Sequence, residues 1–149
     1  MKSKARWILF GIALLSVAGI AVSAVSLHHH YQKDETSYCD FGQSFNCDIV
    51  NRSIYSEVMG IPVAGIGIAG YLALLVLATM LRARAEAPLL LLLGSLAGLG
   101  FALYLTYIEK FVLATWCILC LSSLALISGI AILSVVLTVQ GRKRAGTLG

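Results

Sequence analysis

Long, uninterrupted apolar runs alternate with short polar stretches along this chain. Four runs approach or exceed the roughly 20 residues that a helix needs to cross a bilayer. None of them contains Asp, Glu, Lys or Arg. Because the apolar residues are continuous and do not alternate with polar ones, the pattern predicts helices and not barrel strands. The predicted helices cover about residues 7–27, 61–81, 88–108 and 115–139.

The composition agrees with a membrane location. Of the 149 residues, 59% are hydrophobic and 12% are charged, and the mean hydropathy is +0.90, which is too apolar for a soluble domain of this size. Too little chain lies outside the runs for a second domain. We therefore expect an all-α integral membrane protein with a single domain over residues 1–149. It would be a four-transmembrane-helix bundle with an extracytoplasmic, cysteine-bearing loop at 28–60.

The basic residues predict the orientation of this bundle in the membrane. Basic clusters precede the first run, separate the second from the third, and follow the fourth: Lys2, Lys4, Arg6, Arg82, Arg84, Arg142, Lys143 and Arg144. These are alternate connections, so the clusters share one side, which the positive-inside rule makes cytoplasmic. Both termini are then inside. The net charge of +4 sets orientation and does not indicate a nucleic-acid-binding surface.

The first run also has features of a secretory signal. "MKSKAR" is basic, an apolar run follows, and "AVSA" offers small residues for cleavage. The run continues to Leu27 and is long enough to span, which favours a retained helix. Either outcome leaves the loop at 28–60 outside the cytoplasm.

All four cysteines fall on the predicted outer side. Structural disulfides suit Cys39 and Cys47, which lie in the outer loop. A structural disulfide between Cys117 and Cys120 is less expected, because so short a loop constrains little of the chain. Their Cys-x-x-Cys spacing is more typical of redox chemistry. With Thr115 as N-cap, Cys117 lies where a helix N-terminus favours a thiolate. Cys120 lies about one turn deeper on the same face, which suits electron transfer to a lipid-soluble acceptor.

A zinc site is the other interpretation of these cysteines, with His28, His29 and His30 as further ligands. The Cys-x7-Cys spacing is loose for zinc, and an oxidising compartment favours disulfides over a thiolate cage. We therefore expect no metal site, and we expect the histidine run to lie at the membrane interface.

The combined pattern resembles the vitamin K epoxide reductase (VKOR) family. It consists of four spans, an outer-loop Cys-x7-Cys, a serine six residues after its second cysteine, and Cys-x-x-Cys in the last span. The resemblance extends over roughly 7–137, and "CDIVNRSIYSEVMGIPVAGIGIAGYLAL" and "TWCILC" are most similar to bacterial members. It implies a four-helix bundle around a quinone in the bacterial inner (cell) membrane, with its active site on the extracytoplasmic side.

The resemblance also implies roles for individual residues. Cys120 would engage the quinone, which would be menaquinone, ubiquinone or a similar acceptor, and Cys117 would be its partner. Cys39 and Cys47 would relay electrons inward through a transient Cys47–Cys117 bond, and Ser53 would lie beside the active site. The implied activity is a thiol:quinone oxidoreductase that generates disulfides for a periplasmic thioredoxin-like (DsbA-like) protein. Because the chain ends at "GRKRAGTLG" without such a domain, we expect that partner to act in trans.

Two departures from the mammalian pattern favour quinone reduction over epoxide reduction. The position four residues after the last cysteine is Leu124 where the mammalian enzymes have Tyr, and the second span contains no Asn. Two alternatives stay open. One is a DsbB-type oxidase, although that family carries its Cys-x-x-Cys in the first outer loop. The other is a non-catalytic, disulfide-stapled membrane scaffold or partner-binding subunit.

No residue stands out as the proton donor that quinone reduction needs. Glu109 and Asp48 are near the predicted outer end of the bundle. Because Glu109 precedes Lys110 at the end of an apolar run, we expect it to be an ordinary interfacial charge.

Overall fold

The computed structural model describes residues 2–31, 57–113 and 118–148. Within them, four α-helices correspond to the four predicted apolar runs, which confirms the all-α fold. A short β-hairpin precedes the second helix, and a π-helical turn follows the third. The elements are α1 Lys2–Tyr31, β1 Glu57–Val58, β2 Ile61–Pro62, α2 Val63–Thr79, α3 Ala87–Ile108, the π-helical turn Glu109–Leu113 and α4 Ile118–Leu148.

Three of these helices are long and apolar enough to cross a membrane, over Ser3–His28, Ala87–Val112 and Ile118–Lys143. The chain is therefore a multi-pass membrane protein. The remaining apolar helix, α2, has 17 residues. It begins two residues after the start of the second predicted run. Pro62 disfavours the helical conformation at Ile61, the residue before it, and is itself extended, with φ −59° and ψ 134°.

The stretch 48–59 is compatible by sequence with a short helix along the membrane surface, but its end forms a β-hairpin with residues 61–62. Glu57 pairs with Pro62 and Val58 with Ile61 in an antiparallel register. Met59 and Gly60 form the turn with φ values of 55° and 83°, and positive φ at both central residues is typical of a type I′ hairpin. The suggested helix is wrong at this end, and its remainder lies outside the described residues.

Some polar side chains lie inside the bundle among apolar core residues, and apolar side chains cover its outer surface. Ser16, Ser95 and Ser134 are fully buried between helices, whereas large apolar residues cover the outer surface. This distribution suits lipid, which solvates apolar side chains and leaves polar groups to be satisfied within the bundle. The exposed apolar residues include Trp7, Phe10, Leu72, Leu93, Tyr104, Tyr107, Phe111 and Val136.

Helix α1 packs mainly against α2 and α4, and α3 packs mainly against α4. The interface between α2 and α3 is less extensive than any of these. Glycines bring the helices close, because a Cβ at Gly94 would lie 3.2 Å from the Leu74 side chain and one at Gly98 would lie 3.1 Å from that of Ile127. The core is formed by Ile12, Tyr71, Leu74, Ala78, Leu91, Ile127, Ile130 and Leu137.

The two ends of the bundle differ in chemistry. At one end, Ala5, Arg82 and Gly141 line a common cavity of about 180 Å³. These residues lie within or directly beside the three basic clusters, so the clusters share one end of the molecule. The opposite end holds Glu109 and Cys120.

Candidate functional site

A cavity of about 380 Å³ lies at the end of the bundle that holds Cys120. Its volume is within the roughly 300–1,000 Å³ typical of small-molecule sites. All four helices contribute to it, and most of its wall is apolar. The apolar lining includes Ile66, Leu74, Phe101, Leu105, Leu119 and Ile127.

Small residues on α2 and α3 leave room for this cavity. Gly67 and Gly70 line it from α2, and Gly94, Ala97 and Gly98 line it from α3. A Cβ at Gly94 would approach Leu74 of α2, one at Gly98 would approach Ile127 of α4, and one at Gly67 would approach Ser23 of α1. The cavity therefore lies where α2 and α3 meet, an interface less extensive than those of α1 with α2, α1 with α4 and α3 with α4.

A tyrosine and a serine place a hydrogen-bonded polar group in the apolar wall. Tyr71 of α2 is 5% exposed, and its hydroxyl donates to the Ser123 carbonyl oxygen at 2.9 Å. The Ser123 Oγ lies 2.8 Å from the same hydroxyl, and it donates there because the tyrosine proton is already used. Both residues line the cavity. The sequence does not indicate this pair, because a tyrosine and a serine within apolar runs carry no distinctive signal.

Cys120 lies in the first turn of α4 and lines the same cavity. It is half-buried. Ser123 follows it by three residues, so both side chains lie on one face of the helix. Of the five predicted site residues, Cys120 alone is among those described; Cys39, Cys47, Ser53 and Cys117 lie outside the described residues.

The expectation that Glu109 is an ordinary interfacial charge is wrong. Its side chain is 1% exposed and lines the cavity with Cys120. The next residue, Lys110, is exposed, with its Nζ 5.2 Å from the centre of the Phe111 ring. The Glu109 side chain therefore lies in the buried cavity and the Lys110 side chain lies on the surface, a difference that the sequence pattern alone does not predict.

The backbone of Glu109 continues that of α3, with φ −58° and ψ −44°. Glu109 begins the π-helical turn, and its N–H is shared between the carbonyl oxygens of Leu105 and Thr106. This wider turn changes the angular position of the residues that follow α3. Both Ile108 and Glu109 are buried, while Tyr107 and Lys110 on either side are exposed. Single π-helical turns are frequent at functional sites.

The cavity suits a flat, largely apolar molecule that carries a few hydrogen-bonding oxygens. Apolar walls match a ring and a hydrocarbon tail, and the hydroxyls of Tyr71 and Ser123 are within the same wall. A quinone has this combination, so the residues present fit the acceptor that the sequence predicts. Within the described residues, no three His, Cys, Asp or Glu side chains lie close enough to hold a metal ion.

Two comparisons with known proteins indicate the same family. The model of the vitamin K epoxide reductase family matches residues 10–135. The chain is also 30% identical over 136 residues to vitamin K epoxide reductase complex subunit 1 of Rattus norvegicus, covering 80% of this chain and 84% of the rat protein. The family match includes all four cysteines and every residue that lines the cavity.

Proposed function

Because this chain belongs to the vitamin K epoxide reductase family, we propose that it is a thiol:quinone oxidoreductase that generates disulfides. Family membership supports the general class, an oxidoreductase that couples thiols to a quinone. The observation that carries the finer proposal is the position of Cys120. Its thiol lies in the wall of an apolar cavity, where an electron acceptor dissolved in the lipid can meet it.

The proposed path begins outside the bundle. A reduced periplasmic thioredoxin-like protein, separate from this chain, attacks the Cys39–Cys47 disulfide through its thiolate and leaves oxidised. The loop dithiol then reduces the Cys117–Cys120 disulfide by the same exchange chemistry. Cys117 and Cys120 finally return to the disulfide as two electrons pass to the quinone. Ser53 is proposed to lie beside this last step.

Tyr71 and Ser123 are proposed to orient the quinone ring. Each hydroxyl carries one proton, and rotation about its C–O bond turns that proton from its present acceptor to a quinone carbonyl oxygen. Their position on the wall shared with Cys120 supports this role. They would supply hydrogen bonds to a quinone in a chain that has Leu124 after the last cysteine and no Asn in α2. The proposed acceptor is a quinone such as menaquinone or ubiquinone.

The active site is proposed to face away from the cytoplasm, in the bacterial inner membrane. The basic residues gather at the end of the bundle opposite Cys120. Cytoplasmic connections of membrane proteins carry an excess of Lys and Arg. This orientation would place the cysteines where a periplasmic partner can reach them and where disulfides persist.

The test is anaerobic quinone reduction by the purified protein in detergent, with a reduced DsbA-like protein as electron donor. Wild type should reduce menaquinone or ubiquinone analogues, and Cys120→Ala should lose turnover because it lacks the thiol at the cavity. Ser122→Ala is the matched control, since this exposed residue bonds only to the Ile118 carbonyl oxygen of its own helix among the described contacts.

Either of two results would contradict the proposal. One is full activity in Cys120→Ala. The other is no reduction of any quinone by a folded wild type that the donor demonstrably reaches. The second result would favour the disulfide-stapled scaffold, in which no cysteine changes its redox state.

A further inference from the structure

We propose that the Glu109 carboxyl group delivers a proton to the quinone in this cavity. The inference rests on the proposed thiol:quinone activity and adds a catalytic residue to it. Among the described residues that line the cavity, Glu109 carries the only carboxyl group. The other ionisable lining groups are the Tyr71 hydroxyl and the Cys120 thiol.

The location of Glu109 argues for a function beyond solubility or anchoring. An ionisable side chain within the apolar part of a membrane protein is costly, and such residues commonly mark proton or substrate paths. An acidic residue at a helix end could avoid this cost by facing the interface, as Lys110 does beside it. Glu109 instead is almost fully buried and faces the cavity.

The structure brings the acid to the side of the cavity where the chemistry would occur. Glu109 follows the end of α3 and Cys120 lies at the start of α4, and both line the same end of the same cavity. Glu109 is the first residue of the π-helical turn that follows α3. A quinone seated against Cys120 would therefore have a carboxyl group beside its ring.

The proton transfers balance without another reactant. As the S–S bond forms, the Cys117–Cys120 dithiol loses two electrons and two protons, and a quinone gains two of each to become a quinol. Glu109 gives its proton to one quinone oxygen, and its carboxylate takes up a proton released by a thiol. The second thiol proton goes to the other quinone oxygen, through water or directly.

The kinetic test compares Glu109→Gln with wild type. Glutamine preserves the size and hydrogen-bonding capacity of the side chain but has no acidic proton. Turnover should fall about 100-fold, the lower limit typical of general acid catalysis, while the quinone KM changes by less than about threefold. Glu109→Asp, which keeps the carboxyl group, should recover part of the activity. Glu86→Gln is the matched control, because Glu86 is an exposed acid at the opposite end of α3.

A second measurement does not depend on turnover. Infrared difference spectra are recorded as quinone is added to the redox-inactive Cys120→Ser protein. A carboxyl C=O band should shift when quinone binds, and ¹³C-labelled glutamate should move that band. The band should be absent from the Cys120→Ser, Glu109→Gln double variant. If Glu109→Gln fails to fold, Glu109→Asp takes its place in the Cys120→Ser background, where the responding carboxyl band should no longer move with the glutamate label.

The outcomes separate the two proposals. If wild type reduces no quinone, the thiol:quinone activity fails, and Glu109 loses its role with it. If wild type is active and folded Glu109→Gln keeps its turnover, or no glutamate band responds to quinone, only the role of Glu109 is overturned. Equal losses in Glu109→Gln and Glu109→Asp, with no band shift, would mean that the residue is structural.

Discussion

Tyr71 shows how one side chain joins the fold to the candidate site. Its ring is part of the hydrophobic core, and its hydroxyl reaches across to Ser123 on α4. Removing the oxygen while keeping the ring separates these two contributions. A substitution of this one residue therefore tests the proposed orientation of the quinone directly.

We expect Tyr71→Phe to raise the quinone KM about fivefold, since one hydrogen bond contributes about 1 kcal/mol. The fold should remain, because the ring still packs in the core. Steady-state kinetics with varied quinone and fixed donor provide the measurement. Tyr104→Phe is the control, since Tyr104 is exposed on the outer surface of α3. An unchanged KM in folded Tyr71→Phe would exclude its hydroxyl from quinone binding.

Single residues also show what a sequence can and cannot predict about this site. Cys120 is predictable because Cys-x-x-Cys at the start of an apolar run is a recognisable pattern. The sequence indicates an interfacial position for Glu109, because Lys110 follows it and both residues end an apolar run. The burial of Glu109 depends instead on how the helices pack around the cavity, which no polarity pattern encodes.

At the scale of elements, α1 and α2 approach closely where Gly19 faces Tyr71. A Cβ at Gly19 would overlap the Tyr71 ring, which is rigid and held in the core. Glycine at this position therefore sets both the spacing of the two helices and the position of the tyrosine hydroxyl.

We expect Gly19→Ala to destabilise the bundle by about 1–3 kcal/mol, the usual cost of overpacking. The apparent Tm in detergent should fall, and the quinone KM should rise because the Tyr71 hydroxyl is displaced. Gly100→Ala is the matched control, since a Cβ there would meet nothing within 4 Å. If Gly19→Ala were as stable as Gly100→Ala, the close packing of α1 on α2 would be contradicted.

The limits of α2 illustrate the same contrast between pattern and structure. The apolar run from Ile61 predicts a helix from that residue, because Ile and Pro at a helix start are unremarkable. In the structure, Ile61 and Pro62 form the second strand of the hairpin. Their pairing with Glu57 and Val58 is a contact between segments, and apolar composition does not distinguish a strand from a first helical turn.

At the scale of the whole molecule, the number of helices and the grouping of the basic residues were predictable, but the cavity was not. The runs are apolar around their whole circumference, so they carry no polar face that would indicate which side lies inward. Small residues on α2 and α3 contribute to the cavity wall. Only the packing of the helices shows that these residues line one cavity.

The proposed electron path requires the whole bundle to be oriented with its Cys120 end facing the periplasm. Single cysteines at Met59 and Arg84 test this orientation in a background where all four native cysteines are serine. Met59 is 99% exposed in the hairpin that leads into the cavity end of α2. Arg84 is exposed in the connection at the basic end.

In intact spheroplasts, a membrane-impermeant maleimide should label Met59→Cys and leave Arg84→Cys unlabelled until the membrane is permeabilised. The physical reason is that basic connections stay on the cytoplasmic side during insertion. Labelling with the reverse pattern would place the cavity end in the cytoplasm. A periplasmic thioredoxin-like partner would then be impossible, whereas reduction of quinone by Cys120 would remain testable with the purified protein. The membrane orientation and the reduction of quinone by Cys120 are therefore tested by separate measurements, and a negative result for one does not contradict the other.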